Sequence, residues 1–164
     1  LQALALADAG ALDLRKQALA FDELLRQSLE AFRHRFDERE IEVESTLPEG
    51  LRLSADPQRL RQLLHNLFEN SCRYAERGGR LRVTLSGSDG ATLVIEDSGP
   101  GVSDAQLERL FDRFYRAEGS RSRATGGSGL GLSICRNIVE AHGGAIEAGH
   151  SALGGLSVTV RLPA

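Results

Sequence analysis

The spacing of apolar residues along the chain predicts three amphipathic helices. The first begins at Asp22, a suitable N-cap, and ends near Arg39. The second begins at Asp56 and Pro57, an N-cap followed by proline at the first helical position, and ends near Glu76 before two glycines. The third presents one apolar face, made of Leu130, Ile134, Ile138 and Ala141.

Alternation of apolar and polar residues predicts short strands between these helices. Residues 41–44 alternate as a strand with one buried face, and a turn separates them from a second strand at 51–53. Residues 81–85 and 93–95 flank a glycine-containing turn, which is the pattern of a β-hairpin, and this hairpin ends at Asp97. The sequence therefore contains several strands that are not separated regularly by helices.

The remaining pattern completes the predicted fold. Ser103 and Gln106 form a capping box for a short helix, a long polar loop occupies 111–128, and two more strands are predicted at 145–147 and 156–162. Because helices and strands intermix without regular alternation, we expect an α/β (α+β) two-layer sandwich. In it a mixed β-sheet is covered on one face by helices.

Composition narrows the class of protein. Of the 164 residues 41% are hydrophobic, as in a folded domain, and the formal charge of -3 argues against a nucleic-acid partner. Cys72 and Cys135 lie far apart, which excludes a disulfide framework and fits a reducing compartment. Lys16 is the only lysine, so neither a GxxxxGK[ST] phosphate loop nor the lysine of a eukaryotic-type protein kinase is present.

Two asparagines in the second helix are candidate ligands. At 100° per residue Asn66, Asn70 and Arg73 share one stripe beside the apolar face. Asparagine is a weak helix former, and amide oxygens suit a hard cation such as Mg²⁺, while an arginine suits phosphate. The stripe is therefore either an exposed polar surface or a site for a metal ion and phosphates.

Two further glycine-containing segments each allow a purely structural interpretation and a ligand-binding one. Residues 97–101 read Asp-Ser-Gly-Pro-Gly, which is typical of a turn closed by its own aspartate, or of a loop that a ligand ring approaches closely. Residues 126–131 open the third helix, where backbone N–H groups and the helix dipole favour an anion. Between them, residues 110–116 alternate apolar anchors with Arg113 and Arg116, which could reach a terminal phosphate.

The order of these four elements resembles the catalytic ATP-binding domain of two-component sensor histidine kinases, within the superfamily that includes gyrase and Hsp90-type ATPases. Residues 65–70 are similar to the N box of the family and 97–101 to its first glycine box. Residues 111–114 are similar to its F box and 127–131 to its second glycine box. The resemblance covers about 15–162.

The resemblance implies the histidine-kinase-type ATPase (Bergerat) fold, binding Mg-ATP under a lid at about 102–128. It implies that Asp97 binds the adenine amino group, that Asn70 binds Mg²⁺, and that 15–164 form the catalytic domain. The predicted nucleotide-binding residues are Asn66, Asn70, Arg73, Tyr74, Asp97, Gly99, Gly101, Gly127, Gly129, Leu130 and Gly131. The predicted catalytic residues are Asn66, Glu69, Arg113 and Arg116, of which Glu69 could orient a water molecule.

The resemblance also implies partners. The γ-phosphoryl group of ATP would pass to a histidine of a dimerisation domain and then to a response regulator. None of the four histidines precedes an acidic residue, as the phosphoacceptor of the family does. We therefore expect a monomeric fragment that binds ATP or ADP without phosphorylating itself, with residues 1–14 as the end of the preceding dimerisation helix and linker. The parent would be a homodimer in the bacterial inner membrane, with this domain in the cytoplasm.

Two other functions fit the same motifs. An ATP hydrolase or serine kinase of the superfamily would release phosphate or form phosphoserine. A degenerate domain retained for protein contacts would bind no nucleotide, although the presence of Asn66, Asn70, Asp97 and the glycines argues against it.

Overall fold

The computed structural model of the chain describes residues 13–87, 89–112 and 131–164. Its helices are α1 (Phe21–Glu38), α2 (Pro57–Tyr74), α3 (Asp104–Arg109) and α4 (Gly131–Ala141). Its strands are β1 (Gln17–Ala20), β2 (Glu42–Thr46), β3 (Arg52–Ala55), β4 (Arg80–Ser86), β5 (Ala91–Asp97), β6 (Ala145–His150) and β7 (Leu156–Leu162).

Five strands form one mixed sheet in the order β2-β4-β5-β7-β6. β2 runs parallel to β4, and the other neighbouring pairs are antiparallel. The register aligns Val83 with Ile95 and Ile95 with Val158, so that buried apolar side chains of neighbouring strands share one face. β1 and β3 form a separate antiparallel pair.

Three helices and the buried face of the sheet enclose one apolar core, with α2 in contact with both α1 and α4. Phe32, Phe36 and Phe68 join α1 to α2, with ring centroids 5.9 to 6.3 Å apart. The predicted two-layer sandwich with a mixed sheet is confirmed. In this arrangement the second half of α2 lies beside strands β5 and β7.

The start of α1 differs from the prediction. Asp22 is not the N-cap, because the helix begins one residue earlier and Ala20 occupies the capping position without a side-chain hydrogen bond. Asp22 is instead buried in the first turn, where it accepts hydrogen bonds from Arg26 and from the backbone N–H groups of Gly50 and Leu51. The chain before α1 is already fixed as β1, a strand that the pattern does not predict.

The start of α2 follows the prediction. The Asp56 side chain accepts hydrogen bonds from the backbone N–H groups of Gln58 and Arg59, and Pro57 is the first helical residue. The helix ends at Tyr74, slightly before the predicted Glu76.

The predicted burial of one face of the strand at 41–44 is confirmed for Ile41, which is 4% exposed, and wrong for Val43. Every residue of β2 is exposed, and the Val43 side chain is 37% exposed. Among the described strands β2 lies at the edge of the sheet and pairs only with β4, and Ile41, just before it, is the last buried residue on this side.

The other predicted elements are confirmed in position, including the β4–β5 hairpin and the capping box of Ser103 and Gln106. The apolar face of α4 differs from the predicted one, because Leu132, Cys135, Ile138 and Val139 are buried while Ile134 and Ala141 are half-buried. Residues 1–12 and 113–130, which include most of the predicted lid and the predicted end of a preceding helix, lie outside the described residues. No helix in the described ranges is long and apolar enough to cross a membrane.

Candidate functional site

Asp97, the last residue of β5, is the centre of the site and only 6% exposed. Its Oδ1 atom accepts hydrogen bonds from the N–H of Gly99 at 3.0 Å and the N–H of Leu156 at 3.1 Å. No hydrogen bond from the described residues reaches Oδ2. The carboxylate is therefore oriented through one oxygen and keeps the other for a ligand.

The environment of Asp97 disfavours its charge. Burial raises the pKa of Asp97 above its ordinary value, the N–H groups of Leu156 and Gly99 oppose this, and Glu76 adds to the increase. A buried carboxylate with an unbonded oxygen attracts a hydrogen-bond donor, because the donor supplies part of the solvation that burial removed.

Sequence reasoning misses Gly155, which packs directly on Asp97. Its N–H donates to the backbone oxygen of Asp97 at 3.1 Å, and an added Cβ would overlap Oδ1 of Asp97 and the backbone of Gly99. Only the pairing of β5 with β7 brings Gly155 to Asp97, so no local pattern in the sequence marks it.

A small cavity lies between the second half of α2 and strands β5 and β7. Asn70 and Asp97 both line it, together with Leu67, Ser71, Ile95, Leu156 and Val158. The sequence predicts Asn70 and Asp97 as site residues from separate motifs, and the structure brings them to the same cavity. The cavity measures about 10 Å³, which is room for about one water molecule, and its lining combines apolar walls with three polar residues, Asn70, Ser71 and Asp97.

The predicted stripe on α2 is half-buried along Asn66, Asn70, Arg73 and Tyr74. Arg73 is 17% exposed, its Nε atom is buried without a hydrogen-bond partner, and its guanidinium lies 3.6 Å from Glu69. No hydrogen bond within the described part of the chain involves the amides of Asn66 and Asn70. Of these four residues Asn70 lines the cavity, whereas Arg73 lies beside Glu69 and lines a separate cavity with Arg35, Arg39 and Cys72.

Glu69 lies on the side of α2 that faces α1. Arg35 donates to both carboxylate oxygens of Glu69, at 2.7 and 3.0 Å, and this pairing lowers the pKa of Glu69. In the structure Glu69 joins α1 to α2, and it is not among the residues that line the cavity of Asp97. Its predicted role in orienting a water molecule stays a prediction.

The loop after Asp97 confirms the interpretation as a turn, and the close approach of a ligand ring stays a prediction. The bond from the Gly99 N–H to Asp97 is the predicted turn closed by its own aspartate. Gly99 and Gly101 have φ of 133° and 80°, which favours glycine, and Gly101 also packs against Gly155. The carbonyl of Gly99 accepts from the N–H of Glu76 at 2.9 Å, which ties the loop to the end of α2.

The second glycine segment is described only at its end. Gly131 is the first residue of α4, and an added Cβ there would meet no described atom within 4 Å. The other predicted site residues in this part of the chain, Arg113, Arg116, Gly127, Gly129 and Leu130, lie outside the described residues.

The donor set fits Mg²⁺ held together with phosphate better than a metal held by protein alone. No group of three or more His, Cys, Asp or Glu side chains that could hold a metal is found in the ranges that the structure describes. Asn70 presents one unbonded amide beside the cavity. Mg²⁺ commonly takes one or two protein ligands and completes its shell with water and phosphate oxygens, so the residues present fit it.

Solved structures of histidine kinase catalytic domains share this fold. The catalytic domain of ThkA superposes with a TM-score of 0.80 at 27% identity, covering 92% of this chain and 96% of that domain. The mycobacterial sensor histidine kinase MprB gives a TM-score of 0.76 at 32% identity, covering 90% of this chain and 97% of that one.

Curated relatives include a signal transduction histidine-protein kinase and a sensor protein. The histidine-protein kinase BaeS of Escherichia coli K12 is 50% identical over 99% of this chain, and SrrB of Staphylococcus aureus is 31% identical over 95%. The chain spans 35% of the length of BaeS and 27% of SrrB. Residues 114–121 and 137–142 already resemble BaeS in sequence.

The family model for the histidine kinase-, DNA gyrase B- and HSP90-like ATPases matches residues 55–164, which include α2, the loop after Asp97 and the start of α4. The histidine-kinase resemblance of the four motifs is confirmed, and the chain belongs to the family of histidine kinase-, DNA gyrase B- and HSP90-like ATPases.

Proposed function

We propose that this domain binds ATP with Mg²⁺ between Asp97 and the asparagines of α2 and donates the γ-phosphoryl group to a histidine of a dimerisation domain, for relay to a response regulator. The observation that carries the proposal is the Asp97 carboxylate, buried in an apolar-walled cavity with one oxygen unbonded and Asn70 beside it. ShkA, 31% identical to this chain, has been solved in complex with the ATP analogue AMPPNP.

In this proposal Asp97 selects the base. Two backbone N–H groups hold Oδ1, so Oδ2 accepts a hydrogen bond from the exocyclic amine of adenine. Leu67, Ile95 and Val158 supply apolar walls that exclude water from that bond. Guanine places a carbonyl where adenine has its amine, and two acceptors facing each other would repel.

The stripe on α2 faces the phosphates. Asn70 holds Mg²⁺, which supplies neutralisation of the charge on the phosphate oxygens. Asn66, Arg73 and Tyr74 bind the phosphates and ribose, and the buried, unpartnered Nε of Arg73 leaves that guanidinium with donor capacity. From the motif resemblance, Gly127, Gly129, Leu130 and Gly131 close on the phosphates, and Arg113 and Arg116 approach the terminal one.

The reaction breaks the bond between the γ-phosphorus and its bridging oxygen and forms a bond to an imidazole nitrogen, with ADP as the leaving group. None of the histidines here suits the acceptor role. His142 is 4% exposed, and no histidine precedes an acidic residue. The acceptor therefore belongs to a separate domain of a homodimeric parent kinase, which the proposal places in the bacterial inner membrane with this monomeric domain in the cytoplasm.

The Mg²⁺ assignment is tested by measuring ATP affinity across Mg²⁺ concentrations for wild type and Asn70→Ala. Gln58→Ala removes an exposed amide of the same helix and is the matched control. Wild type and the control should bind ATP more tightly as the Mg²⁺ concentration rises. In Asn70→Ala this Mg²⁺-dependent increase in affinity should be about tenfold smaller, because one charge-assisted contact is lost. Equal Mg²⁺ dependence in all three proteins would contradict the role of Asn70.

The transfer step is tested with ATP labelled at the γ-phosphate and a separate dimerisation domain of a BaeS-type kinase. We expect an acid-labile, base-resistant label on the added domain and none on this chain. A label on this chain itself would contradict the proposal. Release of phosphate without an acceptor would favour an ATP hydrolase, an acid-stable label would favour a serine kinase, and absence of nucleotide binding would favour a protein-contact module.

A further inference from the structure

His142 is a buried titratable residue that the proposed reaction does not use. It follows the last residue of α4 and is 4% exposed. Its Nδ1 atom lies 2.8 Å from the carbonyl oxygen of Ile138, and its Nε2 atom lies 3.1 Å from the backbone nitrogen of Asp56. The imidazole therefore bridges the end of α4 and the start of α2.

The two partners define the protonation state of this ring. A carbonyl can only accept, so Nδ1 of His142 carries the proton, and a backbone N–H can only donate, so Nε2 is unprotonated. Only the neutral ring with its proton on Nδ1 satisfies both bonds. Burial lowers the pKa of His142, the Ile138 carbonyl opposes this, Lys16 adds to the decrease and Asp56 opposes it.

Asp56 connects this ring to two further segments. Its carboxylate accepts from the N–H groups of Gln58 and Arg59 at the start of α2, and from the N–H of Arg15 before β1 at 2.9 Å. One residue therefore holds α2, α4 and the segment that precedes β1. Each bond is to backbone, so the contact fixes main-chain positions as well as side chains.

Both helices run from this contact toward the proposed nucleotide site. α2 begins directly after Asp56 and carries Asn66 and Asn70 in its second half, while α4 begins at Gly131 and ends at Ala141, next to His142. The two helices pack together between these ends, where Cys135 Sγ contacts the carbonyl of Leu63. A shift of one helix along the other would therefore move the asparagines relative to the start of α4.

We propose that His142 is a positioning residue for nucleotide binding, because its acceptor bond from the Asp56 N–H fixes α2 against α4 and so sets where Asn66 and Asn70 lie. The inference rests on the proposed function. It assigns no chemistry to His142, which does not line the cavity of Asp97.

The test compares His142→Leu, which removes the acceptor, with His142→Gln, which retains an acceptor oxygen. Val83→Ala, a fully buried residue of β4 that does not line the cavity, controls for general destabilisation. ATP affinity is measured under conditions where all proteins remain folded. We expect His142→Leu to bind ATP about tenfold more weakly than wild type, because the buried N–H of Asp56 loses its acceptor. The affinity of His142→Gln should be within about threefold of wild type, and that of Val83→Ala should change less than twofold.

Nuclear magnetic resonance gives a readout that does not depend on nucleotide. The ring nitrogens of His142 should show the proton on Nδ1, and His142→Leu should shift and deprotect the amides of Asp56, Asn66 and Asn70. Unchanged affinity and amides in a folded His142→Leu protein, or equal loss in Val83→Ala, would overturn the inference. If the wild type bound no nucleotide, the proposed function would fail, while the ring and amide signals would still decide whether His142 positions α2.

Discussion

Two buried aspartates, Asp56 and Asp97, are each 6% exposed, yet their pKa values are shifted in opposite directions. Burial raises the pKa of Asp56, but the N–H groups of Arg15, Arg59 and Gln58 outweigh it and the net pKa is lowered. Burial of Asp97 is opposed by only two N–H groups, both on one oxygen, and its pKa is raised. Deeper burial of the Asp97 carboxyl and its smaller set of hydrogen-bond donors together separate the two.

The difference indicates how this fold divides its carboxylates between stability and binding. Asp22 follows Asp56: burial raises its pKa, the bonds from Arg26, Gly50 and Leu51 outweigh that effect, and the pKa is lowered. These two carboxylates use their acceptor capacity to join chain segments. Asp97 keeps one oxygen free at a cost in stability, which is typical of a group reserved for a ligand.

The largest expected effect comes from crowding Asp97. Gly155→Ala should lower the free energy of unfolding by about 3 kcal/mol and ATP affinity more than tenfold, because the new methyl group overlaps Asp97 and Gly99. Urea unfolding and ATP titration measure the two effects. Gly149→Ala, with nothing within 4 Å of the added carbon, is the matched control and should bind normally. Normal ATP binding by Gly155→Ala would show that Asp97 need not keep this position.

Removing a structural carboxylate should affect stability alone. Asp22→Ala should lower the free energy of unfolding by about 2 kcal/mol, since two hydrogen bonds that join α1 to the turn before β3 are lost, together with the bond from Arg26 within α1. ATP affinity, measured where the protein is folded, should change less than twofold. A large loss of affinity in folded Asp22→Ala would break the division between the two classes of carboxylate.

The two classes should also respond oppositely to acid. The lowered pKa values of Asp22 and Asp56 contribute stability that is present above the ordinary aspartate pKa near 3.8 and lost as pH falls through the folded values. The raised pKa of Asp97 acts in the other direction, since protonation relieves its burial. ATP affinity should therefore begin to fall above pH 3.8, before the fold is lost, and Asp97→Asn should remove this early fall in affinity. Binding and unfolding titrations with one shared midpoint would contradict this.

The smallest effect on stability and on ATP binding is expected at an exposed ion pair between β6 and β7. Arg161 and Glu147 are paired at 2.7 Å with side chains 54% and 64% exposed. Arg161→Ala should change the free energy of unfolding by less than about 0.5 kcal/mol and leave ATP binding unchanged. Thermal unfolding at low and high salt measures this, and a drop above 1 kcal/mol would assign the pair a structural role.

Much of the fold follows from local pattern. Asp56 and Pro57 start α2 as predicted, and the β4–β5 hairpin ends at Asp97, because capping and alternation act over a few residues. Asp22 is an aspartate like Asp56, but it is not a helix cap, because its carboxylate accepts hydrogen bonds from Gly50 and Leu51 in a turn distant in sequence. Capping preference cannot distinguish these two cases.

The sequence predicts which residues form the candidate site, but not which residues hold them in place. Asn70 and Asp97 are recognisable because each belongs to a motif, and both line one cavity. Gly155 and His142 support the site through contacts that exist only after β5 pairs with β7 and α2 packs on α4. Long-range packing of this kind leaves no periodicity in the sequence.

Calorimetric titration of wild type and Asp97→Asn with ATP, ADP and GTP in Mg²⁺ tests whether the free oxygen of Asp97 binds a nucleotide base. We expect micromolar binding of the adenine nucleotides, much weaker binding of GTP, and about 30-fold loss of ATP affinity in Asp97→Asn with no loss of stability. Equal ATP affinity in folded wild type and Asp97→Asn, or no binding by the folded wild type, would contradict it.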